Sequence, residues 1–181
     1  SLLLAVASGV VIAATCGLRA FLPLLALGLA SRFLGVPLHD AARWLAHDVA
    51  LIALGIATLL EIAGDKIPVV DHALDAVGLV VRPVAAAFGS FAVLPGMPSP
   101  WGAIVAVVLG GLALGVQGVK AKTRLGSSAV TLGVANPLLS LAEDAAALAG
   151  VILALVAPVI AAVAIVALLA WLGSRAAPRR A

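Results

Sequence analysis

The sequence predicts an all-α fold, a polytopic transmembrane helical bundle, and three observations carry that prediction. Of its 181 residues, 64% are hydrophobic and only 10% are charged, with a mean hydropathy of +1.26; soluble domains carry roughly 25% charged residues. Apolar stretches at 2–18, 20–31, 101–119 and 145–172 approach or exceed the ~20 residues needed to cross a ~30 Å hydrocarbon core. Proline and glycine recur beside polar residues inside such stretches, so the helices are expected to be broken or re-entrant. The expectation is one transmembrane domain over 1–181 with about four to six crossings. Repeat halves at 1–93 and 101–174, joined by the loop 94–100, are left open, and with them an inverted repeat.

The opening run lacks a basic leader, and in "AATC" Thr15 precedes the cysteine, so it reads as a retained membrane helix rather than a cleaved signal. Its lone Cys16 has no internal disulfide partner and reads as a small packing residue. "TCGLRAFLP" interrupts the run 2–33 with Gly17, Arg19 and Pro23, giving either a kinked long helix or two half-helices. The loop that follows holds Arg32, Arg43 and Trp44, residues suited to a membrane interface.

The next crossing contains "LLEIAGDKIPVVDHALD". Four of the chain's eight acids, Glu61, Asp65, Asp71 and Asp75, fall within these residues. Twelve residues separate Asp48 from Glu61, about 18 Å of helix at 1.5 Å per residue. If Asp48 marks an interface, Glu61 and Asp65 lie within the hydrocarbon slab. A charge at the centre costs about 2.5–3.5 kcal/mol on insertion scales, so these acids need water, protons or cationic partners. Beyond Pro68, the residues Asp71, Asp75, Gly78 and Arg82 share one helical face, and Pro83 is expected to break or kink that helix.

"VLPGMPSPW" reads as an external loop. The span 101–119 is the cleanest, and its Gly111 and Gly115 have the small-xxx-small spacing that lets helices approach. Residues 127–145 look too short and polar for an ordinary span; Asn136-Pro137 interrupts them, and Asn136, Ser140, Glu143 and Asp144 form a second polar group. A kink is expected near Pro158 in the last stretch. "FLPLLALG" and "ANPLLSLA" share P-L-L-x-L, an echo of the paired broken segments that build midplane sites in transporters.

The net charge of +3 comes with clusters at Lys120, Lys122, Arg124 and at Arg175, Arg179, Arg180. These flank apolar spans as cytoplasmic loops do, which places the C-terminus in the cytoplasm. No basic surface is interleaved with aromatics and tyrosine is absent, which excludes nucleic acid as a partner. No two histidines show H-E-x-x-H spacing. The metal is unknown: no cofactor is predicted, and a bound cation such as Mg²⁺, Mn²⁺ or Ca²⁺ on carboxylate and carbonyl oxygens stays open.

The blocks "SGVVIAATCGLRAFLPLLALGLASR", "LEIAGDKIPVVDHALDAVGLVVRPVAAAF" and "KAKTRLGSSAVTLGVANPLLSLAED" together resemble the bacterial membrane family called domain of unknown function 4126. The most specific block is E-x-x-x-D-K-x-P-x-x-D-x-x-x-D followed by R-P. The resemblance implies a small polytopic protein of the bacterial inner membrane and no established activity. "CGLRAFLP" is also similar to the glutamate-rich segment of undecaprenyl-diphosphate phosphatases, and "TRLGSS" to their second segment. Here Cys16 and Ala20 replace the two glutamates and Leu25 and Ala26 replace the serines, so only the broken-helix scaffold carries over.

The leading expectation is therefore a small transporter or channel. Glu61, Asp65, Asp71, Asp75, Asn136, Ser140, Glu143 and Asp144 would line a proton or cation site, with Arg19, Lys66, Arg82 and Arg124 as counter-ions or anion binders. Helix breaks are expected at Gly17, Pro23, Pro68, Pro83 and Pro137. The structural alternative pairs Asp65 or Asp71 with Lys66, and Asp75 with Arg82. The rivals are an integral-membrane enzyme or binder of lipid phosphates and a non-catalytic assembly subunit. Expected partners are the lipid bilayer, a small ion or solute or a lipid phosphate, and a second copy of the chain.

Overall fold

The computed structural model describes residues 2–94, 97–131 and 135–176, apart from the side chains at 68–69, 71–72, 99, 128–129, 131, 136 and 173–176. Among the described residues there are seven α-helices, one 3-10 helix and no strand. They are α1 (Leu2–Leu18), α2 (Phe21–Leu34), the 3-10 helix (Asp40–Ala46), α3 (Asp48–Gly64), α4 (Pro68–Ala92), α5 (Ser99–Thr131), α6 (Asn136–Val156) and α7 (Pro158–Ala176). Three stretches are long and apolar enough to cross a membrane alone, Ala73–Ala92, Pro100–Ser127 and Pro137–Val156, and the chain is an integral membrane protein. The 3-10 helix and α3 form a bent pair, turning by 70° between them.

The helices alternate in direction. Leu2 of α1, Val36, Leu94, Trp101 of α5, Val156 of α6 and Pro158 of α7 line one cavity and so mark one end of the bundle. His39 N donates to Ala92 O at that end, where the His39 and Phe91 rings lie 4.1 Å apart. Leu18, Lys120, Glu143 and Leu172 line a different cavity and mark the other end. The Arg32–Arg43 loop, Leu94 and residues 97–98 therefore share an end, with α3 and α4 as an out-and-back pair between them.

Proline mostly starts helices here rather than kinking them. Pro68 and Pro158 open α4 and α7, while Pro23 and Pro137 sit in the first turns of α2 and α6, where a missing N–H removes nothing from the hydrogen-bond ladder. Two expectations are corrected. At Pro158 the chain does not kink but reverses, so 145–172 is a pair of antiparallel helices meeting at Ala157. Pro83 breaks nothing: α4 runs through it. A packed neighbour sustains the helix there, since Gly110 brings α5 so close that a Cβ would lie 2.8 Å from Pro83 O, and covered backbone at this depth tolerates a missing ladder bond.

The core forms around α1, where Val11, Ile12, Ala13 and Cys16 are fully buried. Lipid tails are as apolar as leucine, so helices associate through close packing and interhelical hydrogen bonds rather than a hydrophobic drive. Ser90 Oγ donates to Gly9 O at 3.0 Å, and Ser8 Oγ donates to Ala154 O at 2.8 Å. The glycines that permit contact are not those expected. Gly111 and Gly115 have nothing within 4 Å of an added Cβ, whereas Gly17 meets Ala113 and Val116 of α5, and Gly150 of α6 meets Thr15.

The echo of P-L-L-x-L opens α2 and α6, and both run from the charged end towards the opposite end. The two segments thus run in the same direction through the bundle. Gly35 ends α2 at φ 67°, its N–H returning to Ala30 O, the left-handed cap that glycine adopts without a Cβ penalty.

Candidate functional site

Arg19 sits at the apex of the α1–α2 hairpin, where the chain leaves one helix and enters the next. Its fully buried guanidinium pairs with Asp65 at the C-terminal end of α3 and lies 2.6 Å, through Nε, from Asp144 Oδ1 of α6. Its remaining nitrogen donates to Ser140 Oγ at 2.9 Å. One guanidinium thereby ties α1, α3 and α6 together, a task suited to its rigid fork of donors.

Asp65 Oδ2 also accepts from Arg124 at 3.0 Å and lies 3.8 Å from Lys120 Nζ, both on α5. Glu143 of α6 receives Arg124 through two nitrogens, at 3.1 Å and 2.8 Å, the bidentate arrangement that makes such pairs strong. Lys120 Nζ lies 3.0 Å from the same carboxylate and donates to Leu18 O at 3.4 Å, satisfying a carbonyl freed where α1 stops.

Glu61 does something different. Its two oxygens accept from the backbone N–H of Ala20 at 3.0 Å and of Phe21 at 3.3 Å, so α3 caps the N-terminus of α2 with a charge. The positive end of the helix dipole favours a carboxylate there. Glu61→Ala is expected to destabilise the protein by roughly 0.5–2 kcal/mol, the usual cost of losing a cap, and Glu61→Gln by less. Thermal unfolding in detergent is the measurement; an unchanged midpoint for Glu61→Ala would show that the cap contributes nothing.

A second polar group lies alongside. Arg82 NH1 is 3.5 Å from Asp75 Oδ1, Gln117 Nε2 donates to Asp75 O at 3.2 Å, and a Cβ on Gly78 would lie 3.2 Å from the Arg82 guanidinium. The spacing Asp75, Gly78, Arg82 is thus a true shared face. Arg82 is 1% exposed, yet Nε and NH1 make no hydrogen bond in the structure, and neither does Gln117 Oε1.

Of the residues expected at the site, the structure gathers Arg19, Asp65, Arg124, Ser140, Glu143 and Asp144 into one buried network, sets Glu61 against the backbone that follows Arg19, and places Asp75 with Arg82 beside it. Glu61 and Asp65 do not act as a carboxylate pair: each is taken up by different partners. Lys66 is exposed, and the cations on Asp65 come instead from α1 and α5. The side chains of Asp71 and Asn136 lie outside the described residues. The network lies towards one end of the bundle rather than at its middle, because Asp65 ends α3 and Ser140 is near the start of α6. Of the expected breaks, the one between Gly17 and Pro23 falls at Arg19–Ala20, and the one before Pro137 reaches into 132–134, outside the described residues.

Sequence reasoning passed over Lys120 and Gln117. Their signal was present: Gln117, Lys120 and Arg124 stand three and four residues apart, one face of α5. Among the described residues no group of three or more His, Cys, Asp or Glu side chains could hold a metal ion; in the network, bases are interleaved with the acids. A family described as domain of unknown function (DUF4126) matches residues 6–179. No curated protein and no solved structure matches the chain.

Proposed function

Because the chain belongs to the DUF4126 family, whose description names no activity, we propose a function from the geometry: a small membrane transporter whose charged centre is proton-linked. The observation that carries it is a charge imbalance. Among the described residues Asp65, Glu143 and Asp144 are matched by three bases, Arg19, Lys120 and Arg124, whereas the buried Glu61 accepts from the backbone N–H groups of Ala20 and Phe21 and pairs with no cation among them. That carboxylate is the charge a proton or small cation would neutralise. Ionisable groups within a membrane protein are functional by default, since their insertion is costly.

Glu61 links that charge to movement. Neutralising it weakens charge-assisted bonds to Ala20 and Phe21, and these bonds hold the start of α2 against α3. Proton uptake would thereby loosen the α1–α2 hairpin while Arg19 keeps its apex tied to α6. By the positive-inside rule the end bearing Lys120, Lys122 and Arg124 faces the cytoplasm of a bacterial inner membrane, together with the C-terminal end of α7. The Arg32–Arg43 loop then lies outside.

The test is proton flux into liposomes containing the purified protein, read with an entrapped pH dye under an imposed potential. Wild type is expected to exceed empty liposomes, and folded Glu61→Gln to fall to the empty-liposome rate. Flux in wild type no higher than in empty liposomes overturns the reading.

A further inference from the structure

We propose that the groove among α1, α5, α6 and α7 is a binding site for a phospholipid whose head carries a primary ammonium. One acyl chain lies in the groove and the head lies at Lys120 and Glu143. The inference stands apart from the proton-linked reading and does not depend on flux.

The groove has a volume of about 490 Å³, within the ~300–1,000 Å³ typical of small-molecule sites. It reaches inward to Val11 of the central helix, between walls that include Val116, Leu139, Leu153 and Leu168. Such a lining suits a hydrocarbon chain and offers nothing to a soluble ion. Its charged lining residues are Lys120 and Glu143, one of each sign. α5 and α6 stand apart here and are joined chiefly by the ion pairs from Lys120 and Arg124 to Glu143.

Charge decides which head fits. The Glu143 side chain keeps 12% of its surface accessible while the Lys120 side chain keeps 1%, so the side chain offered to an incoming head is that of Glu143. A carboxylate has about four lone-pair sites. Arg124 Nε and NH2 and Lys120 Nζ take three of them, leaving one for a further donor. An ammonium with N–H donors fills it; a quaternary ammonium brings no donor. The lipid phosphate then lies beside the exposed Thr123, also in the lining. The charged centre is thus addressed from the lipid phase rather than from water.

The test is lipid titration of delipidated protein in detergent, with bound lipid counted by native mass spectrometry. The probes are phosphatidylethanolamine, phosphatidylcholine and phosphatidylglycerol of matched chains. Phosphatidylethanolamine is expected to bind about tenfold more tightly than the other two, the size of one charge-assisted hydrogen bond. Glu143→Gln is expected to abolish that preference while retaining chain binding. Ala164→Phe, which fills the groove from α7, is expected to weaken all three lipids at least about tenfold by removing the space for the chain; Ala149→Phe does the same from α6 should the first variant not fold. Equal affinity of the wild type for the three lipids, or undiminished binding to a folded groove-filling variant, overturns the site.

Discussion

Arg19→Leu is expected to cost about 3–5 kcal/mol of stability, the penalty for removing one member of a buried ion pair and leaving its partner's charge behind. Two carboxylates lose a partner together here. Asp65 is buried against Arg19, and Asp144, with 18% of its side chain accessible, lies 2.6 Å from it, so neither has enough water to replace the guanidinium. Asp65 keeps Arg124 and Lys120, whereas Asp144 has no other cation among the ion pairs described. Arg19→Lys preserves the charge but not the fork that reaches Asp65, Asp144 and Ser140 at once, and is expected to fall between Leu and wild type. Unfolding in detergent with increasing denaturant ranks the three. If Arg19→Leu loses less than about 1 kcal/mol, the range of an exposed pair, the network does not hold the helices together.

Gly17→Ala is the next largest effect expected. A Cβ there would lie 2.7 Å from Ala113 O and 2.7 Å from Val116 Cβ. The first of these is backbone and has no rotamer to escape into, so α5 itself must move. Overpacking of this kind costs about 1–3 kcal/mol, and the upper end is expected because the same helix carries Lys120 and Arg124 one and two turns further on. Gly111→Ala and Gly115→Ala are the controls, each expected within about 0.5 kcal/mol of wild type because, beyond the local turns of α5 itself, no described atom lies within 4 Å of the added carbon. Thermal unfolding compares them. A Gly17→Ala protein as stable as wild type removes the argument for the α1–α5 contact. A costly Gly111→Ala, lost together with oligomer on size exclusion, assigns that face to a second copy of the chain.

Much of the site was legible because charge in an apolar chain is conspicuous. Arg19, Glu61, Asp65, Glu143 and Asp144 stood out by being ionisable where ionisation is expensive, and all but Glu61 meet in one network. Partnership was less legible: Lys66 is the cation nearest Asp65 in sequence, yet Asp65 pairs with Arg19, 46 residues away. Lys120 was hidden by a correct general rule, since basic residues beside a span are ordinarily interfacial anchors.

The helical fold and its burial in a membrane were written in composition and local pattern. Hydropathy acts on each segment through contact with lipid, and proline acts within one helical turn, so neither needs the rest of the chain. Helix direction, the reversal at Ala157, the choice of Gly17 over Gly111 as a packing point and the splitting of Glu61 from Asp65 were set by tertiary contact. These depend on which surfaces meet across long sequence separations, 121 residues for Arg19 and Ser140. Between helices in lipid that choice rests on shape and on satisfying buried charge, which no single segment encodes.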